Sequence, residues 1–373
     1  MRTVNPFRPL LLPAVLLAVA CGDESDFTAP ESPPPAEVEL PDPESAGPLE
    51  DLAYWADGYL FADQPTRSSY APLPSTSFNR SGGTMSITKV AGTTGRYIAR
   101  FKGLSALTGT RNAVRTTASG SDASYCKPVG AFLVRDSVEV RCFRMGTGAA
   151  VDATFFLQVV AKRDDRAFAF GNQPTAVSYT PSSNGTWNPA GATRIYRDGV
   201  GQYRVVFSGL GARLSSGVAG HVQVNGVGTN KPYCKVLNWG GSPDLIVLVR
   251  CYGAAGGPAD ARFTVQFSQP AAHLAYAWAG LPTTTLYQPS PAYASNPVGG
   301  AMYIQRNNVG RYEIGWTGAS AEIRGYGSPQ VTAFSEGNAQ CKVIGIDEDY
   351  VEVQCFAANG EPRDTYFVVQ LAS

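Results

Sequence analysis

The fold is decided by a nine-residue stretch that the 373-residue chain contains three times: GRYIARFKG at 95–103, GQYRVVFSG at 201–209 and GRYEIGWTG at 310–318. Apolar residues recur at every second position of each stretch, so that Tyr97, Ala99 and Phe101 share one face of the first. Alternation with a period of two is typical of a strand that buries one face. The repetition predicts three copies of one β unit.

The flanking motifs recur at the same spacing. Each copy opens with aromatic residues and a proline turn, and closes with an Asp-x-x-Phe segment whose acids are Asp152, Asp260 and Asp364. Because the acid stands at the same place in every copy, we expect it to cap a turn and not to catalyse a reaction. These motifs delimit copies at residues 58–162, 167–268 and 274–371.

Six of the seven cysteines form recurring pairs: Cys126 with Cys142, Cys234 with Cys251, and Cys341 with Cys355. Lysine follows the first cysteine of each pair, and turn-forming residues lie midway between the two. An antiparallel hairpin would therefore place the paired cysteines opposite each other, at a separation that suits a disulfide. The sequence predicts one hairpin disulfide in each copy, formed in an oxidising compartment.

Two all-β architectures accommodate these strands. We expect three tandem antiparallel β-sandwich-like units of about 100 residues, arranged like beads. The alternative is one β-propeller of about six blades, with two blades in each copy. A contact between the region of Gly58 and the region of Val369 would favour the closed propeller.

The N-terminus has the layout of a secretory signal. Arg2 and Arg8 accompany an apolar run at residues 10–20, which is too short to span a bilayer. The segment Leu17-Ala18-Val19-Ala20-Cys21 resembles the lipobox of bacterial lipoproteins, which implies a signal peptide at residues 1–20 and a lipid on Cys21. Lipidation would also explain why Cys21 has no partner among the recurring cysteine pairs.

The segment after Cys21 has the composition of a disordered tether. Residues 22–51 contain seven prolines and ten acids but no Lys or Arg. Such a segment cannot bury enough apolar surface to fold. We therefore expect residues 21–52 to hold the copies away from a membrane.

Few residues point to chemistry. His221 and His273 are the two histidines, neither recurs in another copy, and no Gly-x-Ser-x-Gly elbow accompanies them. Phosphate-binding loops, nucleic-acid motifs and Cys-x-x-Cys metal motifs are missing as well. The acidic residues 347–349 resemble a solvated hairpin tip more than a calcium loop. The sequence therefore predicts no catalytic residue, no metal, no cofactor and no nucleic-acid partner.

The recurring Gln-Pro-Thr, Gly-x-Tyr, Cys-Lys-Val and Val-x-Cys-Phe motifs resemble repeats of uncharacterised exported proteins from actinobacteria and other soil bacteria. The resemblance covers about residues 58–371. It implies export and a repeated β architecture, and it assigns no activity and no site residue.

These features lead to three functional hypotheses. The first is a non-catalytic binding or adhesion protein of the cell envelope, anchored by its lipid at the outer membrane or cell surface, with an envelope polymer, glycan or protein as partner. The second is a structural spacer without a ligand. The third is a hydrolase on a propeller, which an acid-lined central pocket would support. Trp187 and Trp239 lie near turns, where an exposed ring would favour glycan binding.

Overall fold

A computed structural model describes residues 54–323, 325–347 and 349–373 of the protein. This part of the chain is almost entirely β-structure, with one short helix, α1 (Leu104–Thr108), and 3-10 turns at Pro74–Thr76, Gly211–Arg213, Pro291–Tyr293 and Ala319–Ala321. Within the described residues, no helix combines the length and apolar character that crossing a membrane requires. The predicted signal peptide, Cys21 and the tether lie outside the described residues.

The three copies share one order of strands, and the first copy contains one additional short strand. The first copy contains β1 (Gly58–Ala62), β2 (Ser69–Tyr70), β3 (Ser77–Asn79), β4 (Met85–Lys89), β5 (Arg96–Phe101), β6 (Asn112–Ala118), β7 (Ser124–Pro128), β8 (Ser137–Arg144) and β9 (Phe155–Ala161). The second contains β10 (Arg166–Gly171), β11 (Ser178–Tyr179), β12 (Thr193–Gly199), β13 (Gln202–Phe207), β14 (His221–Val227), β15 (Tyr233–Gly240), β16 (Leu245–Tyr252) and β17 (Arg262–Ser268). The third contains β18 (Leu274–Ala279), β19 (Leu286–Tyr287), β20 (Met302–Asn308), β21 (Arg311–Trp316), β22 (Ser328–Ala333), β23 (Gln340–Ile346), β24 (Tyr350–Phe356) and β25 (Phe367–Ala372).

Each copy is a sandwich of two antiparallel sheets. The five-stranded sheets have the orders β2-β4-β5-β8-β7, β11-β12-β13-β16-β15 and β19-β20-β21-β24-β23. The smaller sheets, which we call the inner sheets, have the orders β3-β1-β9-β6, β10-β17-β14 and β18-β25-β22. One apolar core fills the space between the two sheets of each copy. The predicted sandwich-like units are confirmed.

The residues that recur at every second position of the repeated stretch lie in the core of their copy. Tyr97, Ala99 and Phe101 of β5 are at most 1% exposed, and they belong to the core of the first copy. The residues between them point to the other face, where Ile98 is half-buried and Arg100 is exposed. Burying this row of aromatic and aliphatic side chains is the main favourable contribution to the stability of each sandwich.

The recurring acid at the end of each copy holds a turn together. Asp260 accepts hydrogen bonds from the Gly201 N–H at 2.9 Å and from the Tyr203 hydroxyl at 3.0 Å. The Arg197 guanidinium donates two more, at 3.0 and 2.8 Å. Gly201 has a φ of 65°, a conformation that favours glycine. In the other copies Asp152 and Asp364 likewise accept from a glycine N–H and a tyrosine hydroxyl, so the acid has the capping geometry expected from the sequence.

Replacing Asp260 by Asn should destabilise the protein by about 2 kcal/mol at pH 7, because the neutral amide weakens the charge-assisted hydrogen bonds. Hydrogen bonds from Arg197 lower the pKa of Asp260 and outweigh burial, which would raise it. A carboxyl group with a lowered pKa stabilises the fold above its unfolded pKa of about 3.9, and this contribution is lost as the pH falls through the folded pKa. In urea unfolding, the difference in stability between wild type and Asp260→Asn should therefore narrow as the pH falls below about 3.9.

Asp198→Asn is the matched control, because Asp198 forms an exposed ion pair with Arg204 in the same copy. Exposed pairs contribute little, so this variant should stay within about 0.5 kcal/mol of wild type. Equal losses from the two substitutions would show that Asp260 has no special role in its turn.

The three sandwiches close into a ring. A hydrogen bond joins each pair of copies: Arg115–Gln266, Gln223–Gln330 and Gln370–Gln158. The backbone N–H groups of Trp55 and Ala56 also donate to the Ser373 carbonyl oxygen, at 2.6 and 3.1 Å. The first and third copies are thus in contact, and the sandwiches are not separate beads. Nor are the described sheets four-stranded propeller blades arranged two to a copy, since each copy pairs a five-stranded sheet with a smaller one.

The three hairpin disulfides expected from the sequence are present: Cys126–Cys142, Cys234–Cys251 and Cys341–Cys355. The cysteines of each bond are direct cross-strand neighbours in the hairpins β7-β8, β15-β16 and β23-β24. Disulfides persist in oxidising compartments, which places the protein outside the reducing cytoplasm.

Candidate functional site

Three lysines point from the disulfide hairpins into the junctions between copies. They are Lys127, Lys235 and Lys342, each directly after the first cysteine of its pair, and they are 1–2% exposed. Successive side chains of a strand point to opposite faces. Because the cysteine packs on the core of its own copy, the lysine after it faces the neighbouring copy.

The ammonium groups of the first two lysines bind oxygen atoms of the next copy. Lys127 Nζ lies 2.7 Å from the Pro232 carbonyl oxygen and 3.1 Å from Asn230 Oδ1. Lys235 Nζ lies 3.2 Å from the Gly337 carbonyl oxygen. These acceptors are neutral, so they satisfy the N–H groups but do not balance the charge.

The third lysine differs because it has an acidic partner. Lys342 Nζ lies 2.8 Å from both the carboxylate and the main-chain oxygen of Asp122 in the first copy, and 2.9 Å from Ser124 Oγ. This contact completes the ring, since each lysine reaches the next copy in turn. Asp122 is the one carboxylate that the described residues bring into contact with these three ammonium groups.

The lysine environment opposes positive charge. Burial lowers the pKa of Lys127 to about 7, and the charge of Arg262 acts in the same direction. Burial likewise lowers the pKa of Lys235 to about 7, with Arg363 contributing. A buried ammonium group is costly unless it is paired with an anion. The junction therefore favours a negatively charged group that can approach these lysines.

The three lysines line one pocket that all three copies share. Thr117, Asn225 and Thr332, one from each inner sheet, form part of its wall. The cavity measures about 50 Å³, enough for a few water molecules or for one carboxylate or phosphate group. Its described lining contains no Asp or Glu, in contrast to the acid-lined pocket that the hydrolase hypothesis required.

Tyrosines hold the wall of this pocket, which we call the lysine pocket. The Tyr125 hydroxyl donates to the Lys231 carbonyl oxygen, and the Tyr233 hydroxyl donates to the Asn338 carbonyl oxygen at 2.6 Å. Gln340 occupies the corresponding position in the third copy. The pocket is therefore built on a three-fold plan but is not fully symmetric.

The two histidines lie apart from the lysine pocket. His221 is buried, stacks on the Tyr276 ring with centroids 5.0 Å apart, and lies 2.9 Å from Gln223 Nε2. Burial lowers its pKa to about 3, so it is neutral at physiological pH. His273 Nδ1 lies 2.5 Å from the Glu322 carbonyl oxygen.

The tryptophans near turns do not offer free ring faces. Trp239 is 6% exposed and donates from Nε1 to the Ala219 carbonyl oxygen at 2.9 Å. Trp187 is half-buried, and the side-chain charges of Arg111 and Lys162 lie 5.8 and 5.6 Å from its ring centroid. The exposed ring that would favour glycan stacking is therefore not found at either position.

The acidic hairpin tip has a structural role. Asp349 accepts hydrogen bonds from the Gly318 N–H at 3.2 Å and the Ser320 N–H at 2.9 Å, while Glu348 lies outside the described residues. Asp136 and Asp244 accept from the corresponding glycines of the other copies. No group of three His, Cys, Asp or Glu side chains in the described ranges is arranged to hold a metal ion.

The sequence contained the signal for the lysine pocket, since a lysine follows the first cysteine in all three copies. The strand pattern alone did not reveal that these lysines line one cavity, because the ring closure that forms the cavity depends on contacts between copies. The suspected relationship to exported repeat proteins stays a prediction. No protein-family model, curated protein or solved structure matches the chain.

Proposed function

We propose that the protein is an exported, non-catalytic binding protein of the cell envelope, anchored by a lipid on Cys21, and that the lysine pocket holds an anionic group of its partner. The observation that carries this proposal is the pair Lys127 and Lys235. Both ammonium groups are buried, and both have neutral oxygen atoms as partners. A bound carboxylate or phosphate would supply the missing negative charge.

The pocket also limits the kind of partner. A cavity of about 50 Å³ admits one small charged group. It is far too small to hold the surface that a protein partner contributes to a stable interface. A polymer that carries phosphate or carboxylate groups could insert one such group and contact the rim with its neighbouring units. Anchoring by a lipid and a tether would place the pocket within reach of such a polymer in the envelope.

The test is a titration of the mature chain, carrying Cys21→Ser to prevent lipidation, with a phosphate-rich glycan, a carboxylate-rich glycan and an uncharged glycan. Wild type should bind a charged polymer, and more weakly as salt increases. The double variant Lys127→Met/Lys235→Met keeps the aliphatic stems and removes both charges, so its affinity should fall at least about tenfold.

The matched control is Lys102→Met/Lys162→Met, which removes two exposed lysines of the first copy. It should bind like wild type, and circular dichroism should show that both double variants are folded. Equal binding by the two double variants, or equal affinity of wild type for the uncharged glycan, would refute a role of the lysine pocket in recognition.

The spacer without a ligand remains a second candidate, because each lysine also donates to the next copy and so helps to hold the ring together. On this account Lys127→Met/Lys235→Met would lower the melting temperature, and no charged polymer would bind wild type. The same titration therefore separates the two candidates.

A further inference from the structure

A second set of buried polar groups lies where the three inner sheets face one another. Three cross-strand rows of side chains meet there: Tyr59–Gln158–Arg115, Phe168–Gln266–Gln223 and Tyr276–Gln370–Gln330. All nine residues are at most 4% exposed. We call this set the central layer. It consists of aromatic residues and glutamines, with Arg115 as the one charged member.

The central layer is joined across copies. Arg115 Nε donates to Gln266 Oε1 at 2.6 Å, and its Nη2 donates to the Gln223 carbonyl oxygen at 3.2 Å. Gln370 Nε2 donates to Gln158 Oε1 at 2.9 Å. The two hydrogen bonds of Arg115 fix its guanidinium in the layer, and the third nitrogen, Nη1, takes no part in them.

Four buried polar atoms of the layer have no hydrogen-bond partner among the described residues: the nitrogens Arg115 Nη1, Gln158 Nε2 and Gln330 Nε2, and the oxygen Gln370 Oε1. Unpaired buried donors of this kind are rare in folded proteins. The unpaired nitrogens outnumber the unpaired oxygen, and exchanging the oxygen and nitrogen of a glutamine amide would not remove this excess of donors, because the number of donors in the layer stays the same. The guanidinium adds N–H groups and offers no acceptor.

The charge of Arg115 is equally unmatched. Its hydrogen-bond partners are amide and carbonyl oxygens, and among the described residues no carboxylate forms an ion pair with it. The nearby His221 is neutral, since burial lowers its pKa to about 3. An arginine side chain stays protonated in proteins, so the charge cannot be relieved by losing a proton. A water molecule would satisfy N–H groups but would leave the charge unbalanced.

We propose that a small inorganic anion of halide size binds in the central layer against Arg115, with Gln158 and Gln330 as further N–H donors. The small size follows from the burial of the layer, whose nine residues are at most 4% exposed. The site shares no residue with the lysine pocket, and it does not depend on the proposed function. Its role is to stabilise the ring, because the anion would bind the closed arrangement of three copies and not the unfolded chain.

The test compares anions at constant ionic strength. The mature chain with Cys21→Ser is refolded and melted in sodium gluconate, in which chloride is then substituted stepwise. Above the dissociation constant, each tenfold increase in chloride should raise the melting temperature by about 2 °C, because the ion binds only the folded state. Arg115→Gln introduces the residue that the other two copies carry at this position, so the variant should fold, and it should lose the chloride dependence.

Arg100→Gln removes an exposed arginine of the same copy and should keep the chloride dependence of wild type. The proposal would be overturned if the melting temperature of wild type did not change with chloride, or if Arg115→Gln showed the same chloride dependence as wild type.

Crystals grown in bromide give a second readout that does not depend on stability. Anomalous scattering should place bromide within hydrogen-bond distance of Arg115 Nη1, and a water molecule at that position would overturn the proposal. Polymer binding by the lysine pocket is measured separately, so failure of one proposal does not imply failure of the other.

Discussion

A chain that ends at Gln269, and so lacks the third copy, is expected to lose cooperative unfolding and to aggregate. The third copy supplies Tyr276, Gln330 and Gln370 to the central layer. Without it, the inner sheets of the first two copies would expose aromatic residues and buried polar groups to water. Exposed apolar surface of this kind promotes association. The loss should exceed that of any single substitution, because it removes two of the three contacts between copies.

The measurement is urea unfolding followed by circular dichroism and tryptophan fluorescence, with size-exclusion chromatography at each step. A deletion of residues 22–51 serves as the control, because it shortens the chain outside the three copies and should unfold like wild type. A cooperative transition of the truncated chain at the wild-type midpoint would show that the sandwiches fold independently, and it would contradict the ring.

Reduction of the three disulfides should have the second largest effect. The bonds close loops with sequence separations of 16, 17 and 14 residues. A loop of this size corresponds to about 3 kcal/mol for each bond in the chain-entropy model. Since the net stability of a domain is about 5–15 kcal/mol, losing all three should leave a large unfolded fraction at 37 °C. After reduction, the strands that carry the three lysines would also no longer be held in place by disulfides beside the lysine pocket.

Urea midpoints with and without reductant test this prediction. The pairs Cys126→Ala/Cys142→Ala, Cys234→Ala/Cys251→Ala and Cys341→Ala/Cys355→Ala should each lower the midpoint, and by similar amounts because the three loops are of similar length. Thiol titration of the denatured, unreduced protein should find none of these six cysteines free. Unchanged midpoints after full reduction would contradict a stabilising role of the disulfides.

The sequence was sufficient for the features that are local within one copy. Period-two alternation located β5, β13 and β21, and the paired cysteines defined the hairpins on which the lysines lie. The recurring Asp260 was expected to hold a turn, and its contacts with Gly201 and Tyr203 have that geometry. These predictions succeed because each depends on residues close in the chain or on a pattern that every copy repeats.

The ring could not be predicted, because it depends on contacts between residues more than 100 positions apart. Arg115, Gln223 and Gln330 occupy equivalent positions, yet they differ in charge, so repetition alone did not mark them as one layer. Lys127 recurs in the sequence of every copy, but its contact with Pro232 depends on how two copies pack against each other. A lysine in a strand usually faces solvent, and here the neighbouring copy covers it.

The most direct test of the account is a crystal structure of the mature chain, carrying Cys21→Ser, grown with selenate as an anion that scatters anomalously. The account predicts selenate in the lysine pocket, within hydrogen-bond distance of Lys127 Nζ or Lys235 Nζ, and its loss from the pocket in Lys127→Met/Lys235→Met. Selenate bound only elsewhere on the protein, with water filling the lysine pocket, would contradict the account.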